Sequence, residues 1–120
     1  MKKDTDKLVK AIVESMQEKK AHQIVSLDLS GIPNTVSNYY VICHADSNVQ
    51  VNAIADFVER NTKEKLKERV WHKEGHNNAE WILLDYSNVI VHIFQREQRE
   101  RFNIEGLWAD AKIKTYKELS

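Results

Sequence analysis

Apolar residues at Leu8, Val9, Ile12, Val13 and Met16 recur every three to four positions, which draws one stripe along a helix reaching to about residue 20. Asp4, Thr5 or Asp6 stands where a cap would start it. The period then changes. Ile24, Val25, Leu27 and Leu29 read as a strand, ended by Ser30-Gly31-Ile32-Pro33-Asn34, which holds the one proline of the chain. Residues 39–45, rich in aromatic and β-branched side chains, read as a second strand. Helical spacing returns at Val51, Ile54, Ala55, Val58 and Leu66, behind Ser47-x-x-Gln50, which has the form of a capping box. The later half of this helix, to about residue 67, alternates Lys and Glu and reads as a solvated face. A short strand is expected around Val70-Trp71-His72, then a polar loop from Glu74 to Asn78.

The best-defined element is a hairpin. Residues 81–86 and 89–94 flank Ser87-Asn88, a two-residue connection in which Asn tolerates a positive φ. That turn fixes the register: Tyr86 faces Val89, Asp85 faces Ile90, Leu84 faces Val91, Leu83 faces His92, Ile82 faces Ile93 and Trp81 faces Phe94. Alternation then sorts the pairs into two faces. Ile82, Leu84, Tyr86, Val89, Val91 and Ile93 make a nearly aliphatic core face. Trp81, Leu83, Asp85, Ile90, His92 and Phe94 mix large apolar groups with a carboxylate and an imidazole. This second set reads either as another buried face with satisfied polar groups or as a partly exposed patch of the kind that binds proteins.

Charged residues from Arg96 to Arg101 open a short helix, continued or capped by Phe102 and residues 104–108. Residues 109–120 read as a polar tail with helical potential. The order of elements predicts an α+β domain over residues 1–108, a single mixed sheet of about five strands with helices packed on it.

Composition narrows what such a domain does. In 120 residues, 18 Lys and Arg cancel 18 Asp and Glu, so no surplus charge draws the chain to nucleic acid or to an anionic membrane. The local candidate, residues 95–101, interleaves three arginines with two glutamates and reads as a solvated helix face. No apolar run approaches the about 20 residues of a membrane span, and the charged N-terminus lacks a signal-peptide h-region. One cysteine, Cys43, makes no internal disulfide. A soluble cytoplasmic protein is the expectation.

Chemistry is sparse. Cys43 lies mid-strand among apolar neighbours, where a thiol behaves as a small hydrophobe. His72-x-x-x-His76 with Glu74 between offers metal ligands, yet that spacing brings both imidazoles together only on a helix, and Gly75 with Asn77-Asn78 argues for a loop. Three scattered glycines build no phosphate loop. Asp28 and Asp85 are isolated on their strands, so no paired-carboxylate metal site is written for phosphoryl transfer. The expectation is a binding protein with no cofactor and no metal, and an enzyme is the weaker class.

An ordered set of residues resembles a known family. Ser37-Asn38-Tyr39-Tyr40-Val41-Ile42-Cys43 and Ser47-x-x-Gln50-Val51-x-Ala53-Ile54-Ala55 are similar to one half of the signature of the ribosomal silencing factor (Iojap-related) family. Glu74-Gly75, both hairpin strands, and Arg99-x-x-Phe102-x-Ile104-Glu105-x-Leu107-Trp108 are similar to the other half. The likeness spans roughly residues 5 to 108. It implies a nucleotidyltransferase-like fold without the catalytic carboxylates, and a nucleotide-handling enzyme on that fold is the alternative reading. It also implies docking on the fourteenth large-subunit ribosomal protein, a block on subunit joining, translational repression when nutrients are short, and a homodimer when free. The chain departs from the family pattern at Asn38, where Asp is common, at Ser87-Asn88, where Gly-Asp is common, and at His44-Ala45-Asp46 in place of a Gly/Ser-rich segment. Resemblance and face assignment meet on the mixed face. Trp81 and Phe94 are the expected apolar anchors for the ribosomal protein, Ile90 and Phe102 add packing area, and Asp85, His92 and Arg99 form a polar fringe.

Overall fold

The computed structural model describes residues 2–35 and 37–119. Met1 and Ser120, the outer ends of the two expected segments, lie outside the described residues. The chain runs α1 (Lys2–Glu18), β1 (His22–Asp28), β2 (Tyr39–Ala45), α2 (Asn48–Leu66), β3 (His72–Glu74), β4 (Trp81–Asp85), β5 (Val89–Gln95), α3 (Arg96–Phe102), α4 (Ile104–Leu107) and β6 (Lys112–Thr115). The strands form one mixed sheet in the order β3-β4-β5-β2-β1-β6. Its centre is the parallel pair β2–β5, and the remaining pairings are antiparallel. The α+β architecture is as expected, with a sixth strand.

That sixth strand corrects the reading of the tail. Lys112 to Thr115 pair antiparallel with β1, although their side chains are exposed. A strand buried on neither face carries no alternating signal, so its pairing partner decides it. The tail is further tied by Gln17 Nε2 donating to the Lys117 carbonyl at 2.9 Å and by Gln23 N donating to Glu118 Oε2 at 3.0 Å.

The first helix starts earlier than its expected caps, so Thr5 is buried inside it rather than at its end. Lys20 takes a left-handed φ of 59°, and Ala21 N donates to the Met16 carbonyl at 2.9 Å, which satisfies orphan carbonyls where α1 stops. The second helix is capped by Ser47, whose Oγ accepts Gln50 N at 3.1 Å. The Gln50 side chain meets the Ser47 hydroxyl, at 3.4 Å, so the box closes side chain to side chain.

One face of the sheet packs under α1 and α2. Leu8, Ile12 and Met16, with Val51, Ile54 and Val58, meet Val41, Cys43, Ile82, Leu84, Val89, Val91 and Ile93 in a single buried cluster. Every residue of the expected core face of the hairpin lies in it. Thr62, fully buried in α2, bonds the Tyr86 hydroxyl at 2.9 Å, and burial pushes that phenol up to about 12. Cys43 belongs to the same cluster, and burial raises its thiol to about 12, which leaves it inert as a nucleophile at neutral pH.

The hairpin has the expected register. Its turn differs in one detail: Ser87, not Asn88, carries the positive φ of 76°. Asp85 Oδ1 accepts Ser87 N at 2.7 Å and supports that conformation. Asn88 instead reaches Thr5 with Nδ2 at 2.7 Å, fixing α1 to the turn.

Candidate functional site

The opposite face of the sheet is covered over only part of its area. Val25 and Leu27 of β1, Ile42 of β2 and Phe94 of β5 pack beneath Ile104 and Ala111, with Tyr40, Trp81 and Trp108 at the margin. The chain turns here because Asn103, at a φ of 44°, both ends α3 and starts α4, so the short helices fold back over this face.

An aromatic array runs along the margin. The Trp81 indole stacks on Phe94 at 4.9 Å between ring centroids and leans on Phe102 at 4.9 Å. Its Nε1 donates to His92 Nδ1 at 3.1 Å. His92 in turn contacts the Tyr40 ring at 4.6 Å, and Tyr40 meets Trp108 edge-on at 6.1 Å. Because Nδ1 accepts the indole proton, the neutral imidazole carries its own proton on Nε2. Burial drives the imidazole down to about 3, so His92 is neutral at physiological pH and holds the indole plane as an acceptor.

The seven residues expected to form the site divide into three groups. Trp81, His92, Phe94 and Phe102 come together as described. Phe94, however, is 0% exposed: it is a core residue supporting Trp81, not an anchor at the surface. His92 is likewise buried, at 4%, because β5 is a central strand with neighbours on both sides. Phe102 is 45% exposed and Trp81 half-buried, so these two present the apolar area. They border an open groove of about 990 Å³ together with Gly75, His76, Gln98 and Arg101.

Arg99 corrects the reading of a polar fringe. It is 7% exposed and its guanidinium grips Glu105 through Nε and Nη2, each at 3.0 Å. Its Nη1 donates to the Gln23 carbonyl at 2.7 Å and to His44 Nδ1 at 2.9 Å. Gln23 has a left-handed φ of 47° where the β1 register shifts. Arg99 thus fastens α3 to an irregularity in β1. Burial, then the Arg99 charge, holds His44 down at about 4.

Asp85 and Ile90 face each other at the other end of β4, about 13 Å along the strand from Trp81. There they line a separate depression with Trp71, whose side chain is 78% exposed. Ile90 itself is buried. Sequence reasoning passed over Trp71, Tyr40 and Trp108. The face of Tyr40 follows from its pairing with Ile90 across β2–β5, a contact between strands separated by a helix and a hairpin, which no local pattern displays.

The fold thus defines an α+β domain with one closed aliphatic face and one partly open aromatic face. A model of the family described as "Ribosomal silencing factor during starvation" matches residues 2–120. The chain belongs to this family. It is 37% identical over 109 residues to the ribosomal silencing factor RsfS of Bacillus subtilis, covering 88% of each chain. Its identity to the RsfS of Halalkalibacterium halodurans is 36% over 104 residues, 87% of each. A crystal structure of a Chromobacterium violaceum protein superposes with a TM-score of 0.82 at 31% identity, covering 87% of this chain and 85% of that one. Among the described residues, no helix is long and apolar enough to cross a membrane.

Proposed function

We propose that this chain silences translation without catalysis: it docks on the fourteenth protein of the large ribosomal subunit and occupies surface that the small subunit needs in order to join. The observation that carries the reading is the Trp81–Phe102 pair. Both rings are partly open to solvent; Trp81 is held from behind by the buried Phe94 and His92, and Phe102 packs against Trp81. Aromatic side chains fixed in one orientation lose little entropy on binding and are the usual anchors of protein interfaces. The zero net charge of the chain fits a protein target on a particle coated with RNA. Such a factor acts in the cytoplasm. An apolar patch of this kind also serves a second copy of the chain, so the free protein is expected to self-associate.

The test is sedimentation of the purified chain with isolated large subunits. Trp81→Glu is expected to remove binding while circular dichroism shows the fold intact, since truncating a buried aromatic anchor costs about 2 kcal/mol or more of binding and a carboxylate adds desolvation. Retained binding by the folded variant would sink the assignment. Adding small subunits should displace no wild-type protein, and should fail to form joined particles on large subunits already loaded.

A further inference from the structure

We propose that Asp56, Glu59 and His76 form a binding site for a divalent cation of the zinc type, bridging α2 and the loop between β3 and β4. One potential ligand atom from each residue lies within 4.8 Å of those of the other two. Asp56 and Glu59 stand three apart on α2 and therefore project from the same side of the helix. His76 reaches them from the loop. Its path is fixed by Gly75, which has a φ of +92° and whose Cα hydrogen points at the Trp81 carbonyl, where a Cβ would collide. Ala79 N closes the turn on the Gly75 carbonyl at 2.9 Å.

The imidazole has an unmet need. His76 Nε2 is shielded from solvent and has no hydrogen-bond partner, and it faces Glu59 Oε2 at 3.8 Å. That separation is too long for a hydrogen bond. It is close to the edge of a coordination tetrahedron, because donors about 2.1 Å from zinc stand about 3.4 Å apart. The other Glu59 oxygen accepts from Lys73 Nζ at 3.2 Å, which turns Oε2 toward the imidazole. One nitrogen and two carboxylate oxygens suit zinc or cobalt, whereas magnesium and calcium favour all-oxygen shells. Asp56 is exposed, so water completes the sphere on the solvent side. His72 takes no part: its Nε2 pairs with Glu74 at 3.0 Å. The loop expected from Gly75 and Asn77-Asn78 keeps the two histidines from sharing a site, and the fold gives His76 ligand partners from α2.

The full chain, stripped with chelator, is titrated with zinc chloride by calorimetry and with cobalt chloride by visible absorption. A single saturating equivalent and a tetrahedral cobalt spectrum are expected, with no heat from magnesium. His76→Gln and Asp56→Asn should each weaken zinc binding on the order of tenfold or more. His72→Gln, whose imidazole pairs with Glu74 instead, should leave it unchanged. Absence of saturable zinc binding overturns the proposal, as does zinc binding that survives both His76→Gln and Asp56→Asn, or equal binding of magnesium. Should His76→Gln fail to fold, the exposed Asp56→Asn decides alone.

Discussion

The two faces of the β4–β5 hairpin are built from alternate residues of the same two strands, yet they solve different problems. Ile82, Leu84, Val91 and Ile93 point under α1 and α2 and are fully buried in aliphatic contact. Such a surface only has to exclude water, and close packing supplies its stability. Trp81, His92 and Phe94 point the other way. They are joined by ring stacking and by the indole-to-imidazole hydrogen bond, interactions that have direction as well as area. A directional array can stay ordered at the edge of a covered region, where an aliphatic one would lose its neighbours. The difference teaches why aromatic side chains stand where the cover of α3 and α4 gives out.

The sharpest way to break this comparison uses two adjacent residues, Ile93 and Phe94, both 0% exposed but on opposite faces. Alanine at either site opens a cavity. Ile93→Ala should cost about 2–5 kcal/mol of stability and Phe94→Ala about 3–5 kcal/mol, measured by urea unfolding. Their effects on large-subunit binding should differ: under conditions where both remain folded, Phe94→Ala releases Trp81 and weakens binding, while Ile93→Ala does not. Equal losses of binding would show that the faces act as one.

Acid separates the faces at a smaller scale. His92 titrates near 3 in the folded chain because of burial, against about 6.5 when unfolded. Between those values the unfolded chain binds more protons, so stability is whole above about pH 6.5 and falls as the pH drops. Going from pH 6.5 to 5 removes about 2 kcal/mol through this one group, and His44, depressed to about 4, acts in the same direction. His92→Asn keeps an acceptor for the indole and should shrink the stability difference between pH 7 and pH 5 by about 2 kcal/mol. An unchanged difference would mean that His92 is not held neutral. The aliphatic face contributes nothing to this slope.

Local pattern made the aliphatic face legible. The stripe of α1, the spacing of α2 and the two-residue turn placed every core residue of the hairpin and its register, because each of those signals repeats within a few residues. The mixed face was harder to read. Whether Phe94 and Arg99 are surface or interior depends on α3 and α4 folding back over β1 and β2, and that depends on the left-handed φ of Asn103. Arg99 reads as a solvated helix residue beside its charged neighbours, but its partners are Glu105, His44 and the Gln23 carbonyl, two of them more than fifty residues away. The exposed strand β6 was invisible for a related reason, since its only structural signal is the edge of β1.

Phe102 gives the most delicate separation of stability from binding. It leans on Trp81 but is 45% exposed at the end of α3, so truncation leaves a notch open to water rather than a closed cavity. Phe102→Ala should therefore lower stability by about 1 kcal/mol or less, the scale of one aromatic pair. If the Trp81–Phe102 patch is the docking surface, the same change should weaken sedimentation with large subunits by on the order of tenfold, a loss of about 1.4 kcal/mol. Trp71→Ala, at the far end of the hairpin, is the control: Trp71 is more exposed still, and its loss should leave that binding unchanged. Were Trp71→Ala to weaken binding and Phe102→Ala to spare it, the docking surface would move to the depression between Trp71, Asp85 and Ile90, at the opposite end of the same face.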